Sequence, residues 1–217
     1  MDINNEKMSK SLGNFTMIKE VLADYSPEVI RLFLLSKHYR SPIDYNEDSM
    51  QEISLGLDRI YAFLERLEGT NMVLETEKLG ALWEGFAEAM NDDFNSAKAL
   101  GLVFEAAKKG NKLLDRTHNA PEPKGCEALA QVYADIRAIA GILGIFLKDP
   151  TEYFKAKKAK GVADMAIDPA MVEDLIVQRA TARREKNFAR ADEIRDQLQA
   201  MKIVLEDGPQ GTLWRVE

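Results

Sequence analysis

The stretch "NEDSMQEISLGLDRIYAFLERLEG", Asn46 to Gly69, decides the fold class. Met50, Ile53, Leu57, Ile60, Leu64 and Leu67 return every three or four residues, which gathers them in one stripe of an α-helix that Gly69 closes. A helix with one apolar face needs other apolar faces to cover it. The text downstream supplies them. Leu79, Leu82, Trp83, Phe86 and Met90 form a second stripe. A third, starting near Asn95, holds Leu100, Val103, Phe104, Ala107 and Leu114, and a fourth joins Leu129, Val132, Ile136, Ile139 and Leu143 before Gly144. Four amphipathic helices with short polar joints predict an antiparallel bundle over residues 46–147. The stripes are read as core. Cys126, in register with Leu129 and Tyr133, is read as core too, and a lone cysteine excludes an internal disulfide and most thiolate metal sites. The pair Asp92-Asp93 lies before Phe94-Asn95, where acids favour a helix start over an acid-base or metal role.

Upstream, residues 1–45 read as a loop and two short helices. Ser26-Pro27-Glu28 combines a capping hydroxyl, a proline in the first turn and an acid at the positive helix end. "VIRLFLL", Val29 to Leu35, is apolar on nearly every side, which predicts a buried helix, and "KHYRSPIDYN", Lys37 to Asn46, predicts a loop. Before it, Thr16 is expected to cap a helix, since Met17 cannot. Past the bundle, residues 148–168 lose the apolar period, and "KAKKAK" from Lys155 to Lys160 predicts a mobile linker. Residues 169–217 follow Asp168 as a small α+β unit. It has a helix with Val172, Leu175 and Ile176, another with Phe188, Ala191, Ile194, Leu198 and Met201, and then "IVLED" and "TLWRV" as a hairpin. The fold class is mainly α.

The chain has 217 residues, 46% of them apolar, enough for a real core in one or two units. No window approaches the roughly 18 to 20 apolar residues of a membrane span, and no apolar stretch follows a basic start, so a cytoplasmic protein is expected. The formal charge of -7 is uneven: from Asp44 to Leu147 there are 18 acidic and 10 basic residues. A nucleic acid is therefore expected at the two ends of the chain and away from the acidic middle.

The motif that carries chemistry is "EKMSKSLGN", Glu6 to Asn14. Flexible ammonium groups beside hydroxyls and a glycine suit a loop that folds over a polyphosphate and neutralises charge as pyrophosphate leaves. The alternative is a solvated loop. "KMSKS", Lys7 to Ser11, with "LGN" after it resembles the signature loop of class I aminoacyl-tRNA synthetases. "DYSPEVIRLFLLSKHYRSPIDYN", "MNDDFNSAKAL" and "KNFARADEIRDQL" with "EDGPQGTLWR" resemble the carboxy-terminal half of the bacterial cysteinyl-tRNA synthetase family, across essentially the whole chain.

That resemblance implies the tRNA-binding part of an enzyme that forms cysteinyl adenylate from cysteine and ATP, with Mg, and passes cysteine to tRNA(Cys). It implies that Lys7 and Lys10 are catalytic, and that Lys10, Lys7, Ser9 and Ser11 bind ATP. It places a His-Ile-Gly-His-type motif and a zinc ion in a preceding Rossmann domain. Neither has its residues here, so this chain is expected to begin just before the last catalytic loop, to hold no metal and to be inactive alone. The two helices after the loop are expected to form a connecting subdomain that meets the inner bend of tRNA, Arg40 reaching a phosphate. Arg179, Arg183, Arg184, Lys186, Arg190 and Arg195 recur among acids at helical spacing, as a solvated face or, on the resemblance, as part of anticodon recognition. Arg190, Asp207, Gln210, Trp214 and Arg215 are of types that read unstacked bases; Trp214 either stacks on a base or pins the hairpin to Phe188. A monomer is expected of the intact enzyme. The rival readings are a non-catalytic tRNA- or protein-binding helical module, and the cysteine ligase of mycothiol synthesis, which shares the loop.

Overall fold

The computed structural model describes residues 2–3, 6–7, 16–165, 167–208 and 211–216. It divides into two compact units, Met1–Pro150 and Thr151–Glu217.

The first unit opens with strands β1 (Asp2–Ile3) and β2 (Glu6–Lys7), then helices α1 (Ile18–Asp24) and α2 (Pro27–Leu35), and strand β3 (Asp44–Tyr45). β1 pairs antiparallel with β2 and parallel with β3, so that Asp2 faces both Lys7 and Asp44. Two-residue strands have no apolar alternation to announce them, and these three lie where the opening loop and the loop at 37–46 are expected. α1 starts at Ile18 behind Met17, not behind a Thr16 cap: the Met17 N–H donates to Glu20 Oε2 at 2.8 Å, so an acid one turn on closes the helix end. In α2 the Ser26 Oγ accepts from the Val29 N–H at 3.3 Å with Pro27 in the first turn. Its burial is one-sided. Val29, Leu32 and Phe33 are buried, whereas Leu34 is 46% exposed.

The bundle is α3 (Glu47–Glu68), α4 (Ala81–Asn91), α5 (Ser96–Arg116) and α6 (Pro123–Leu143), with α3 packed on α2, α5 and α6, and α4 on α5 and α6. Each stripe faces inward: Met50, Leu57, Ile60, Leu64 and Leu67 of α3 are wholly buried, as are Val103 and Leu114 of α5 and Ile136 and Ile139 of α6. Helices approach closely at Gly110, where a Cβ would stand 2.5 Å from Phe63 Cζ. Leu79 lies outside the core at 41% exposure, because α4 begins only after Gly80. Gly80 has no side chain to cap with. The buried Asp135 of α6 does it, accepting from the Gly80 N–H at 2.7 Å and the Trp83 N–H at 3.2 Å. Cys126 is half-buried rather than core, its thiol donating to the Pro121 carbonyl at 3.3 Å.

α6 ends at Gly144 with φ 66°, a left-handed cap that suits glycine. Arg31 donates to the Gly144 carbonyl at 2.7 Å. Glu28 accepts from the Phe146 N–H and from the Tyr61 hydroxyl at 2.7 Å, and Tyr61 in turn accepts from the Lys148 N–H at 3.2 Å. Burial, and then the Glu28 carboxylate, push the Tyr61 phenol above its ordinary range.

The residues expected to be a mobile linker are mostly helix α7 (Pro150–Asp164). A lysine-rich period carries no apolar signal, yet its side chains find partners: Lys155 pairs with Glu152 at 3.2 Å, and Tyr153 is buried at 6% exposure. The second unit continues with α8 (Pro169–Arg184), α9 (Phe188–Ala200) and the hairpin β4 (Ile203–Gly208) and β5 (Gly211–Val216). Ile203 faces Val216 and Leu205 faces Trp214. Ile167, Val172, Leu175, Ile176, Ile194, Leu198, Ile203 and Trp214 make its core.

Candidate nucleic-acid interface

Asp168 Oδ1 accepts from the Ala170 N–H at 2.9 Å and starts α8. Its inner face buries Val172, Leu175, Ile176 and Ala182, against which α9 sets Ala191, Ile194 and Leu198. The turn between them is short. Lys186 takes a left-handed conformation at φ 59°, and Asn187 caps α9 by accepting from the Arg190 N–H at 3.2 Å. This cap sets Phe188 at the first position of α9, where its ring stands 62% exposed and not in the stripe to which periodicity assigns it. A stripe binds only those positions that have a neighbour opposite, and the first residue of a helix has none below it.

Along the chain on either side of Phe188, basic side chains alternate with the exposed acids Glu185, Asp192, Glu193 and Asp196. Arg183, Arg184, Lys186, Arg190 and Arg195 are all exposed, and Arg179 is half-buried. Arg190 is held by Glu193 at 2.6 Å and Gln178 at 3.4 Å, and Arg184 donates to the Thr181 hydroxyl at 3.1 Å. Exposed pairs of this kind are weak, so their guanidinium groups exchange partners at little cost. An exposed aromatic ring beside such groups can stack on a base while they meet phosphates.

Trp214 takes the opposite part. Only 5% of it is exposed, its Nε1–H donates to Glu173 Oε1 at 2.5 Å, and the Lys158 ammonium lies 3.6 Å from the ring centroid. Burial holds the Lys158 pKa below its ordinary value, against the pull of Glu173. Trp214 is thus a structural residue with its ring covered by its own unit, and it neither offers a stacking face nor pins the hairpin to the exposed Phe188. The sequence contains the signal for Phe188, an aromatic directly after a capping asparagine, but periodicity outweighed it.

Asp207 and Arg215 occupy strand positions opposite Thr212 and Val204, and Lys7 lies in β2; their side chains lie outside the described residues, as do Ser9, Lys10, Ser11 and Gln210 entirely. In the first unit Arg40 is exposed but engaged: its Nε is 3.2 Å from Asp93 Oδ2 and donates to the Tyr39 hydroxyl at 2.9 Å. The Tyr39 hydroxyl donates to Asp93 Oδ1 at 2.8 Å, and His38 Nε2 lies 3.7 Å from Oδ2. Asp93 therefore does not serve a helix start. Asp92 ends α4, Asn95 caps α5 through the Lys98 N–H at 3.0 Å, and Asp93 between them holds the His38–Arg40 segment.

Comparison with known proteins matches three family models in chain order. Residues 1–54 match the tRNA synthetases class I (C) catalytic domain, 85–148 the DALR domain, and 169–215 the cysteinyl-tRNA ligase anticodon binding domain. A protein of Geobacter metallireducens named cysteine–tRNA ligase is 43% identical over 228 residues, covering 100% of this chain and 47% of its own length. Relatives of the same name from Trichlorobacter lovleyi and Syntrophotalea carbinolica are 41% and 42% identical over 100% and 99% of this chain, and 47% and 46% of their own lengths. The chain spans about half the length of these relatives.

Proposed function

The chain belongs to the cysteinyl-tRNA ligase family, matching the C-terminal half of its members, and from that premise we propose that it is the tRNA-binding part of a cytoplasmic ligase that activates cysteine with ATP and charges tRNA(Cys). The observation that carries the reading is Phe188, 62% exposed at the start of α9 in a stretch that holds five exposed cationic residues alongside four exposed acids, inside the residues that match the anticodon-binding model. Single-stranded bases are read by aromatic stacking and by hydrogen bonds to their edges, and the α8–α9 turn offers both kinds of group. Arg190 contacts phosphate once it leaves Glu193. Asp207, Gln210 and Arg215 supply edge contacts.

Lys7 and Lys10, with Ser9 and Ser11, bind the ATP phosphates and neutralise the pyrophosphate as it departs, with Mg carried by the nucleotide. The zinc ion belongs to the part of the enzyme beyond this chain, whose one cysteine and two histidines do not make a thiolate donor set. The domain limits we propose are 1–45 for loop and connecting helices, 46–147 for the bundle and 169–217 for anticodon binding, and the intact enzyme is a monomer.

Filter binding tests the reading, with transcripts carrying the cysteine anticodon and a changed anticodon. The chain binds the first in preference, with strong salt dependence, and Phe188→Ala weakens that binding about five- to fifty-fold without lowering the melting temperature. Equal affinity for both transcripts, or an indifferent Phe188→Ala, rejects it.

A further inference from the structure

Phe94 and Phe146 both have left-handed backbones, at φ 54° and 59°. That region is unfavourable for any residue with a Cβ, and it persists where the surroundings over-determine it. For Phe146 they do. It is wholly buried, its ring meets Tyr61 edge-on at 6.2 Å, and its N–H is held by Glu28. Phe94 is 68% exposed and follows Asp93, itself at φ 55°. Two consecutive left-handed residues set an aromatic ring out in water at the α4–α5 turn, where glycine or asparagine would strain the chain less.

Three chemistries meet at this turn. Phe94 offers an aromatic face. Arg40, its side chain 69% exposed, lies 5.4 Å over the Tyr39 ring and is braced by Asp93, with Nε 3.2 Å from Oδ2 and Nη2 donating to Oδ1 at 3.3 Å. Asp92, exposed before Asp93, is a carboxylate acceptor. A nucleotide has the three complements: a π-face, a phosphate and, on cytosine, adenine or guanine, an amino edge that carboxylates accept from.

We propose that the α4–α5 turn binds an unpaired nucleotide of the tRNA, its base stacked on Phe94, its phosphate on Arg40 and its amino edge on Asp92. Asp93 is the positioning residue for Arg40 and Tyr39. The proposal rests on the tRNA-binding reading above and adds a contact on the bundle, separate from the anticodon unit.

The test is filter binding of the whole chain to a tRNA transcript across a salt series, with thermal melts alongside. Phe94→Gly binds about tenfold more weakly while melting no lower than the parent, since the glycine relieves strain, and Phe94→Trp restores binding. Arg40→Ala lowers the slope of log affinity on log salt by about one, Asp93→Ala does the same, and the double variant loses no more than either, because both act through one guanidinium. Parental affinity in Phe94→Gly overturns the proposal; so does a variant that loses self-association in sedimentation and keeps its RNA affinity, which makes the ring a protein contact. A parent chain that binds no transcript removes the tRNA reading as well, whereas a parent that binds beside an indifferent Phe94→Gly removes this contact alone.

Discussion

The bundle and the C-terminal unit are built from the same amphipathic helices but spend their aromatic residues differently. On the bundle helices, Phe63 and Tyr61 of α3 are wholly buried and Phe86 of α4 nearly so, and the exposed Phe94 lies between helices, in the α4–α5 turn. In the C-terminal unit the core is small, one tryptophan on a strand fills it, and the phenylalanine that opens α9 stands in water among arginines. The comparison teaches that periodicity is reliable where several long helices surround each other and every stripe has a partner on more than one side. It fails at helix ends and in two-layer units, where one helix turn more or less changes whether a ring is covered.

Trp214→Ala tests the contrast with the largest effect. Removing a buried indole costs about 3 to 5 kcal/mol, and a core with eight buried residues among those described cannot absorb that loss. The C-terminal unit is expected to unfold at 37 °C while the bundle keeps its helical circular dichroism; a tail that still melts cooperatively would make Trp214 peripheral.

Asp135→Ala is the matching blow to the bundle. It strands the Gly80 and Trp83 N–H groups at the head of α4, which costs about 2 to 3 kcal/mol by urea unfolding. Asp135→Asn, which keeps one acceptor, loses less. Equal losses in the two variants would show that the charge, rather than the geometry, holds α4.

A smaller effect concerns alkaline pH. Tyr61 has its folded pKa raised above the unfolded value, so its contribution is fully present below about pH 10 and is lost as pH rises further. Bundle stability should be level from neutral pH to about 10 and decline beyond it. Tyr61→Phe costs about 1 kcal/mol at neutral pH and flattens the alkaline decline; a decline unchanged in Tyr61→Phe would assign it to another group. The smallest effect belongs to Phe188→Ala, within about 0.5 kcal/mol of the parent by urea unfolding, since its ring is already 62% exposed. A larger loss would return Phe188 to the core and remove the contrast between the two units.

Much of this was legible in the residues alone. The stripe from Met50 to Leu67 and the Ser26 cap are local, each set by side chains within a few positions, so the bundle helices and the two strands of the hairpin could be drawn before any packing was known. The family, too, was readable from "KMSKS", "MNDDFN" and the tail. What tertiary structure decided is everything that joins distant positions. Asp135 caps a helix 52 to 55 residues away, Asp93 braces Arg40 from 53 residues along the chain, and Glu28 holds Phe146 across 118. The lysines of α7 form a helix because Tyr153 finds a covered site and Lys158 an indole face. None of these has a sequence period, because a hydrogen bond between remote groups depends on where two helices cross. Phe188 left its stripe, and Trp214, open between a base and the core, was buried, for the same reason: an aromatic side chain states that it will bury or stack, and only the surrounding surface determines which.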